Sequence, residues 1–499
     1  MFSSRSAPAR QAGPRSAEPT IALDDLRVGM FIHLDGGWLS HPFARSSFRI
    51  ANAQQIATLR GLKLARVRWS PELSEPESPS EGTSSAAVAA GAGESGGAVG
   101  KDSLTASAAG ASNGVPAGAA AAAAGATTAA GAPPAESATA AGRDSVAARQ
   151  RTAVSVAAVA AVAAVAAERL AQQQCEQQFA EAAAAWRMAS DALPGDPGAA
   201  RSGTGALAEA LTDKLMTDGD VGIRLLPGTG NDRSAAHALN VTVVSMLLAR
   251  ALGLPRDDLA ELALGALLHD VGKLDLPERA RHVEAGCSAA EINAYREHVV
   301  RGIATGRRMA LPEGALAVIA QHHEHADASG FPARMSGDRL SLAGRIVAIV
   351  NRYDNLCNPA TRTPPLTPHE AVAMLFAHGR TRYDAAVLNA FIRMMGVYPA
   401  GSLVQLTDER YAMVVAVNST RPLKPRVLVH EARVPRSEAL LLDLEREPDI
   451  GIRRSLPAAK VPAPALQYLD PRPRVAYFFE PLAAADGASV RPAHERVAA

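Results

Sequence analysis

"DDLAELALGALLHDVGK", residues 257–273, is apolar on nearly every face of the helix it spells, and it ends on His269 and Asp270. A helix that is apolar all round belongs inside a core. The segment therefore delivers an imidazole and a carboxylate to the end of a buried element, stops at Gly272, and adds Lys273 one turn on. Burying such groups costs several kcal/mol unless they share a partner.

The neighbouring segments repeat the pattern. "SAAHALNVTVVSMLLARALGLP" reads as a helix opening at Ser234 and stopping at Gly253, with Pro255 just beyond, and it carries His237. "SAAEINAYREHVVRGIATGRRMAL" opens with a Ser288/Glu291 capping box and carries His298. A further helical run, "EGALAVIAQ", leads into "HHEHADASGFP", residues 322–332, with three histidines in four positions and a closing Gly-Phe-Pro turn. "LAGRIVAIVNRYDNL" places Asn351 and Asp354 three apart, hence on one face.

A lone histidine at the end of an apolar helix is most often a hydrogen-bonded core or cap residue. Six imidazole or carboxylate groups, each on an otherwise apolar helix, are better explained by a bound cation. Nitrogen and carboxylate ligands without thiolate favour Fe, Mn, Zn or Ni over Cu(I), and Mg or Ca would take more oxygens. Two ions sharing Asp270 would use the ligands fully. Successive helical residues point about 100° apart, so Asp270 and His269 address different directions.

The 499 residues carry a formal net charge of +1 and no Lys/Arg run, which argues against a nucleic-acid polymer as partner. Three scattered cysteines, Cys175, Cys287 and Cys357, form no framework and predict a reduced, cytoplasmic chain. The N-terminus has arginines but no apolar core, so no secretory signal is expected. "TAVSVAAVAAVAAVAA", from Thr152 to Ala167, is uncharged but alanine-rich and short of the ~20 residues a membrane span needs. It reads as the start of a soluble helix, not a membrane span.

Composition divides the chain. Residues 1–20 are expected to be disordered. Residues 21–72 predict a small α+β module with a helix ending near Gly61 and a strand through Val67 and Trp69. Residues 73–150, dominated by Ala, Gly, Ser and Pro, predict a disordered linker. A helix over 151–200, with Leu170, Phe179 and Trp186 as packing points, reads as a connecting or a homodimerising element. Residues 201–396 hold the dense helices, 397–435 a β-hairpin segment, and 436–499 a loosely ordered tail.

The series "HALNV", "LLHDVGK", "EHVVRG", "HHEHADASGFP" and "GRIVAIVNRYDNL" resembles the HD-GYP family. That family is a branch of the HD-domain metal-dependent phosphohydrolases that cleaves cyclic di-GMP. The resemblance covers about 200 residues in order. "DLRVGM" and "WLSHPF" also look like the small module often found ahead of such domains. It implies a mainly α fold, an HD-type helical bundle with a dinuclear metal site, preceded by the α+β module and followed by a short β segment. It further implies two divalent ions, Fe or Mn first and Zn or Ni as alternatives, held by His237, His269, Asp270, His298, His322, His323 and Asn351. Asp270 would bridge, Lys273 would contact the scissile phosphate, and a hydroxide between the ions would attack phosphorus to give pGpG, with GMP as a further product left open. Gly330, Phe331 and Pro332 would shape the wall where substrate lies. His325 matches no ligand position and reads as a surface histidine.

Several positions depart from the family pattern. Asn351 stands where an aspartate ligand is usual, and Asp354 one turn on is usually outside the metal's immediate ligands. Phe331 replaces the tyrosine of Gly-Tyr-Pro, and Ala328 replaces a glycine of the same turn. "NPATRTPPLTP" replaces an arginine-bearing phosphate-contact segment, with Arg362 as the obvious stand-in. Arg233 occupies the place of a glutamate associated with a third metal. These departures support an alternative: a degenerate domain that senses cyclic di-GMP, or binds a GGDEF diguanylate cyclase, without hydrolysis.

Overall fold

Short strands joined by tight turns cannot stand alone, and the N-terminal module packs its own around one helix. The computed structural model describes residues 19–34, 47–62, 64–75, 139–217, 219–226, 232–284 and 286–481. The expected N-terminal disorder and most of the 73–150 linker fall outside those residues. In the module, β1 (Thr20–Ala22), β2 (Phe31–His33), β3 (Ser47–Arg49) and β4 (Arg66–Ser70) form an antiparallel sheet in the order β1-β4-β2-β3, with α1 (Ala53–Gly61) between β3 and β4. Asn52 caps α1 by accepting from Gln55 N at 3.0 Å. Leu23, Ile32, Ile50, Leu59 and Val67 close a core of the module's own.

Contacts divide the chain into one unit of residues 1–75 and 155–499 and another of 76–154. The described part of the second is the opening of α2 (Thr139–Ala192), so the helix starts earlier than the 151 expected from sequence. Beyond it, Phe179 is buried and Trp186 donates from Nε1 to Leu267 O at 2.8 Å, as packing points should. Leu170 is exposed instead. Among the described residues no helix is long and apolar enough to cross a membrane.

The helical domain follows as α3 (Pro197–Leu215), β5 (Val221–Leu225), α4 (Arg233–Ala251), α5 (Arg256–Leu268), α6 (Ala289–Arg308), α7 (Glu313–Gln321), α8 (Leu342–Cys357), α9 (Pro368–His378) and α10 (Ala385–Met395). Local chemistry sets the starts. Asp232 caps α4 through Ala235 N, two residues before the Ser234 expected from sequence, and the Ser288/Glu291 box on α6 forms as read. The apolar α5 sits at the centre, packed by α3, α4 and α7.

The C-terminal region departs most from expectation. β6 (Leu403–Leu406) and β7 (Tyr411–Asn418) make the hairpin, but they belong to a seven-stranded sheet. β8 (Arg426–Val429) pairs with β7 and β9 (Leu441–Asp443), while β10 (Ile452–Ser455) pairs with β6. After α11 (Ala463–Leu469), β11 (Tyr477–Pro481) lies antiparallel to β5, which pairs with β7. The tail read as loosely ordered over 436–499 is therefore folded as far as residue 481. Its Pro-, Ala- and charge-rich flanks mask one apolar run, "VAYFFE". Tyr477, Phe478 and Phe479 are wholly buried, and Phe478 meets Phe179 of α2 edge-on at 6.1 Å.

Under this sheet lies a buried ion network. Arg224 of β5 donates to Glu168 (2.6 Å) and Gln172 (3.0 Å) of α2 and to Glu480 of β11, while Arg426 of β8 reaches Glu168 at 3.1 Å. Pairing satisfies charges that would be costly to bury alone, and it ties α2, β5, β8 and β11 together.

Phe479→Ala should destabilise the protein by about 3–5 kcal/mol, the usual range for emptying a buried aromatic site. Denaturant unfolding of the full chain checks this; a loosely ordered tail would give a change within about 0.5 kcal/mol.

Candidate metal centre

His269 continues the helical path of α5, and Asp270 turns the chain into a 3₁₀ turn, Val271–Asp275. Gly272 lets that turn lie against α6. A Cβ there would overlap the carbonyl oxygen of His298 and the amide nitrogen of Gly302. The close approach sets Asp270 beside His298.

Two ligand groups result: Asp270, His298, His322 and His323 in one, and His237, His269 and Asp270 in the other. Asp270 is common to both. Its Oδ2 accepts from Lys273 Nζ at 2.6 Å and lies 3.5 Å from the Nε2 atoms of His237 and His269. Its Oδ1 is buried without a hydrogen-bond partner, 3.6 Å and 3.7 Å from Nε2 of His298 and His322.

The imidazoles are oriented by their own helices. Nδ1 of His269 donates to Ala266 O (2.7 Å), that of His298 to Tyr295 O (2.5 Å) and that of His322 to Ile319 O (2.8 Å). With the proton on Nδ1, each Nε2 presents a lone pair. Yet Nε2 of His298 faces Nε2 of His322 at 3.2 Å. Two bare lone pairs at that separation repel, and a shared cation turns the repulsion into ligation. The orphaned Asp270 oxygen points the same way, so these residues fit divalent ions.

The electrostatics agree. Burial pushes His269 down to about 4 and holds His298, His322 and His323 below the ordinary histidine range, which keeps these rings neutral and able to ligate. His237 goes the other way, to about 9. Burial opposes its charge, but the Asp270 and Asp354 carboxylates outweigh burial. The site demands a positive charge at that corner, as a proton or a metal ion.

Asp354 lies behind His237, accepting from its Nδ1 at 2.6 Å, which is the supporting place the family pattern implies. Asn351 is buried on α8, and its amide oxygen accepts from Asn355 Nδ2 at 2.7 Å. His323 stacks on Phe331, with centroids 4.5 Å apart. Gly330 packs against the backbone of residues 323–325, where a Cβ would collide, and Pro332 is exposed beyond it. His325 is half-buried, its Nδ1 on Ser329 Oγ at 2.9 Å.

A cavity opens onto His237, Asp270 and Lys273. Arg362 is exposed and does not line it; Arg233, Arg281 and Arg474 do. Arg474 comes from the tail and carried no sequence signal. Tyr295 was also missed: its hydroxyl meets His323 Nε2 at 3.1 Å and its ring lies 5.3 Å from Lys273 Nζ, so it steadies both. Glu324, buried, accepts from Ala333 N (2.6 Å) and Met335 N (3.0 Å) and pins the turn after His323.

Residues 226–387 match the HD domain family, and residues 19–194 match a domain of unknown function, DUF3391. The HD domain match spans the helices that carry His237, His269, Asp270, His298, His322 and His323. The chain is 28% identical over 206 residues to a cyclic di-GMP phosphodiesterase of Pseudomonas aeruginosa, covering 40% of this chain and 49% of that protein. A 3'3'-cGAMP-specific phosphodiesterase of Vibrio cholerae is 28% identical over 161 residues, 32% of this chain and 31% of that protein. A solved HDG"Y"P protein from Bdellovibrio bacteriovorus aligns over 44% of this chain and 71% of its own, with 18% identity and a TM-score of 0.35. The chain spans half or less of the length of the two curated relatives.

Gly272→Ala should force the turn away from α6, lowering stability by about 1–3 kcal/mol and reducing metal retained after dialysis. Thermal melts and elemental analysis read the two effects. Ala328, at φ +61°, holds a left-handed conformation that costs roughly 1–2 kcal/mol with a Cβ present. Ala328→Gly should therefore raise the melting temperature, the gain reduced by glycine's greater unfolded entropy.

Proposed function

We propose that this chain is a metal-dependent phosphodiesterase that hydrolyses a cyclic dinucleotide, cyclic di-GMP, to linear pGpG. The observation that carries the reading is one carboxylate, Asp270, common to two histidine groups, with Lys273 at the mouth of the cavity above it. When bound, divalent ions supply Lewis acidity toward phosphoryl oxygens and bring the pKa of water close to neutral.

The chain's own residues do the rest. His298, His322 and His323 would hold one ion, His237 and His269 the other, and Asp270 both. Asp354 and the helix carbonyls keep the imidazole rings aimed. Lys273 stands over Asp270, with Tyr295 beside it, where its charge can neutralise a non-bridging phosphate oxygen. Phe331, stacked on His323, offers an apolar face beside the site. Cyclic di-GMP and 3'3'-cGAMP are named for relatives of equal identity, so both belong in the assay.

One observation favours a second reading. The amide oxygen of Asn351 is engaged by Asn355, which supports a site short of one ligand and one negative charge. Such a domain would bind cyclic di-GMP, or a diguanylate cyclase, without turnover.

His269→Ala and Asp270→Ala should reduce hydrolysis of cyclic di-GMP to background while the helix survives, alanine being well tolerated there. A folded variant with near-normal turnover would overturn the proposal. Asp354→Ala, which frees His237, should weaken metal affinity about 10–100-fold. Asn351→Asp restores a charge in a partly dry site. It should raise metal retention and turnover, most at low added Mn. If wild type and Asn351→Asp bind metal equally and neither hydrolyses at saturating metal, the sensor reading prevails.

A further inference from the structure

The C-terminal segment is stapled to the metal centre by two asparagines. Asn240 of α4 and Asn358, just past α8, each donate to Asp354 Oδ1 at 2.8 Å and to Val475 O, at 3.0 Å and 2.9 Å. Their own oxygens accept from Tyr477 N and Val475 N, both at 2.9 Å. Each amide thus spends both hydrogens and its oxygen on one junction. The other oxygen of Asp354 holds His237. This clamp fixes the backbone at Val475 and, one residue before it, sets Arg474 on the wall of the cavity that opens onto Asp270 and Lys273.

Arg474 is half-buried there, and Arg233, on the first turn of α4, lines the same cavity. Among the described residues neither guanidinium has an ion pair. Burial, and then the nearness of Arg233, both work against the charge on Arg474. Like charges gathered unpaired beside a metal centre await an anion. A cyclic dinucleotide carries two phosphodiesters: with one at the metal centre, the other needs a counter-charge. The arginine fork suits phosphate geometry better than a lone ammonium does.

We propose that Arg474, with Arg233 beside it, binds the second phosphate of the cyclic dinucleotide, so that the C-terminal segment completes the substrate site of the HD domain. This rests on the phosphodiesterase reading and assigns the contact that "NPATRTPPLTP", with Arg362 outside the cavity, does not supply. Arg474 is a substrate-binding residue from outside the family-matched segment, which ends at 387.

The test uses the full chain reconstituted with Mn, assayed with cyclic di-GMP and 3'3'-cGAMP. Arg474→Gln should raise KM, or Kd where turnover is absent, about ten- to a hundredfold, the range for losing one charge-assisted hydrogen bond. Metal content per chain should stay at the wild-type level, and the salt dependence of binding should flatten. Arg474→Lys should fall between wild type and Arg474→Gln. The loss should be larger for a cyclic dinucleotide than for bis(4-nitrophenyl) phosphate, which carries a single phosphate. If wild type turns over or binds a cyclic dinucleotide and Arg474→Gln matches it, the assignment fails while the phosphodiesterase reading stands. An equal loss on both kinds of substrate, or a fall in metal content, would make Arg474 a structural residue and overturn the assignment. A wild type that neither binds nor hydrolyses a cyclic dinucleotide overturns the substrate reading, and this inference with it.

Discussion

Imidazole nitrogens that face one another without a proton between them form the constraint on which this molecule is built. His269, His298 and His322 each commit Nδ1 to a carbonyl three residues back in its own helix, so their inward nitrogens are acceptors only. Around them, α4, α5, α6 and α7 pack as an apolar bundle that could bury almost any side chain more cheaply. The arrangement persists as a folded core because Asp270 and a cationic charge compensate it. Lys273, pulled over Asp270, provides part of that charge; divalent ions would supply the remainder.

The same carboxylate logic operates one layer out. Asp354 divides its oxygens between a metal-facing ring and two amides, and through those amides it grips the backbone of the C-terminal segment. A change in the strand-bearing region therefore reaches His237 through a relay of three hydrogen bonds. The Arg224 network makes a second connection, joining β5 and β11 to α2, the helix that leads back toward the N-terminal part of the chain. Sheet and helices are thus two parts of one site.

The helices, their caps and the histidine pattern were legible in the sequence because each is a local property. The Ser288/Glu291 box needs four residues, and His269-Asp270 at the end of an apolar run needs about a dozen. Asp270 as the shared carboxylate could be read from its place beside His269. The pairing of Nε2 atoms across helices could not, since it depends on how close α6 comes to the turn at Gly272.

By itself the sequence determined which imidazoles and carboxylates ride on buried helices and the branch of phosphohydrolases their pattern resembles. Tertiary structure alone decided that the tail folds, because β11 is a strand only when β5 lies beside it to take its hydrogen bonds. It alone decided which arginine lines the cavity. Arg362 is near the helices in sequence and does not line the cavity, whereas Arg474 is more than two hundred residues from Arg233 and lines the same space. Pairing and enclosure are relations between distant segments, and no local pattern of residues encodes them.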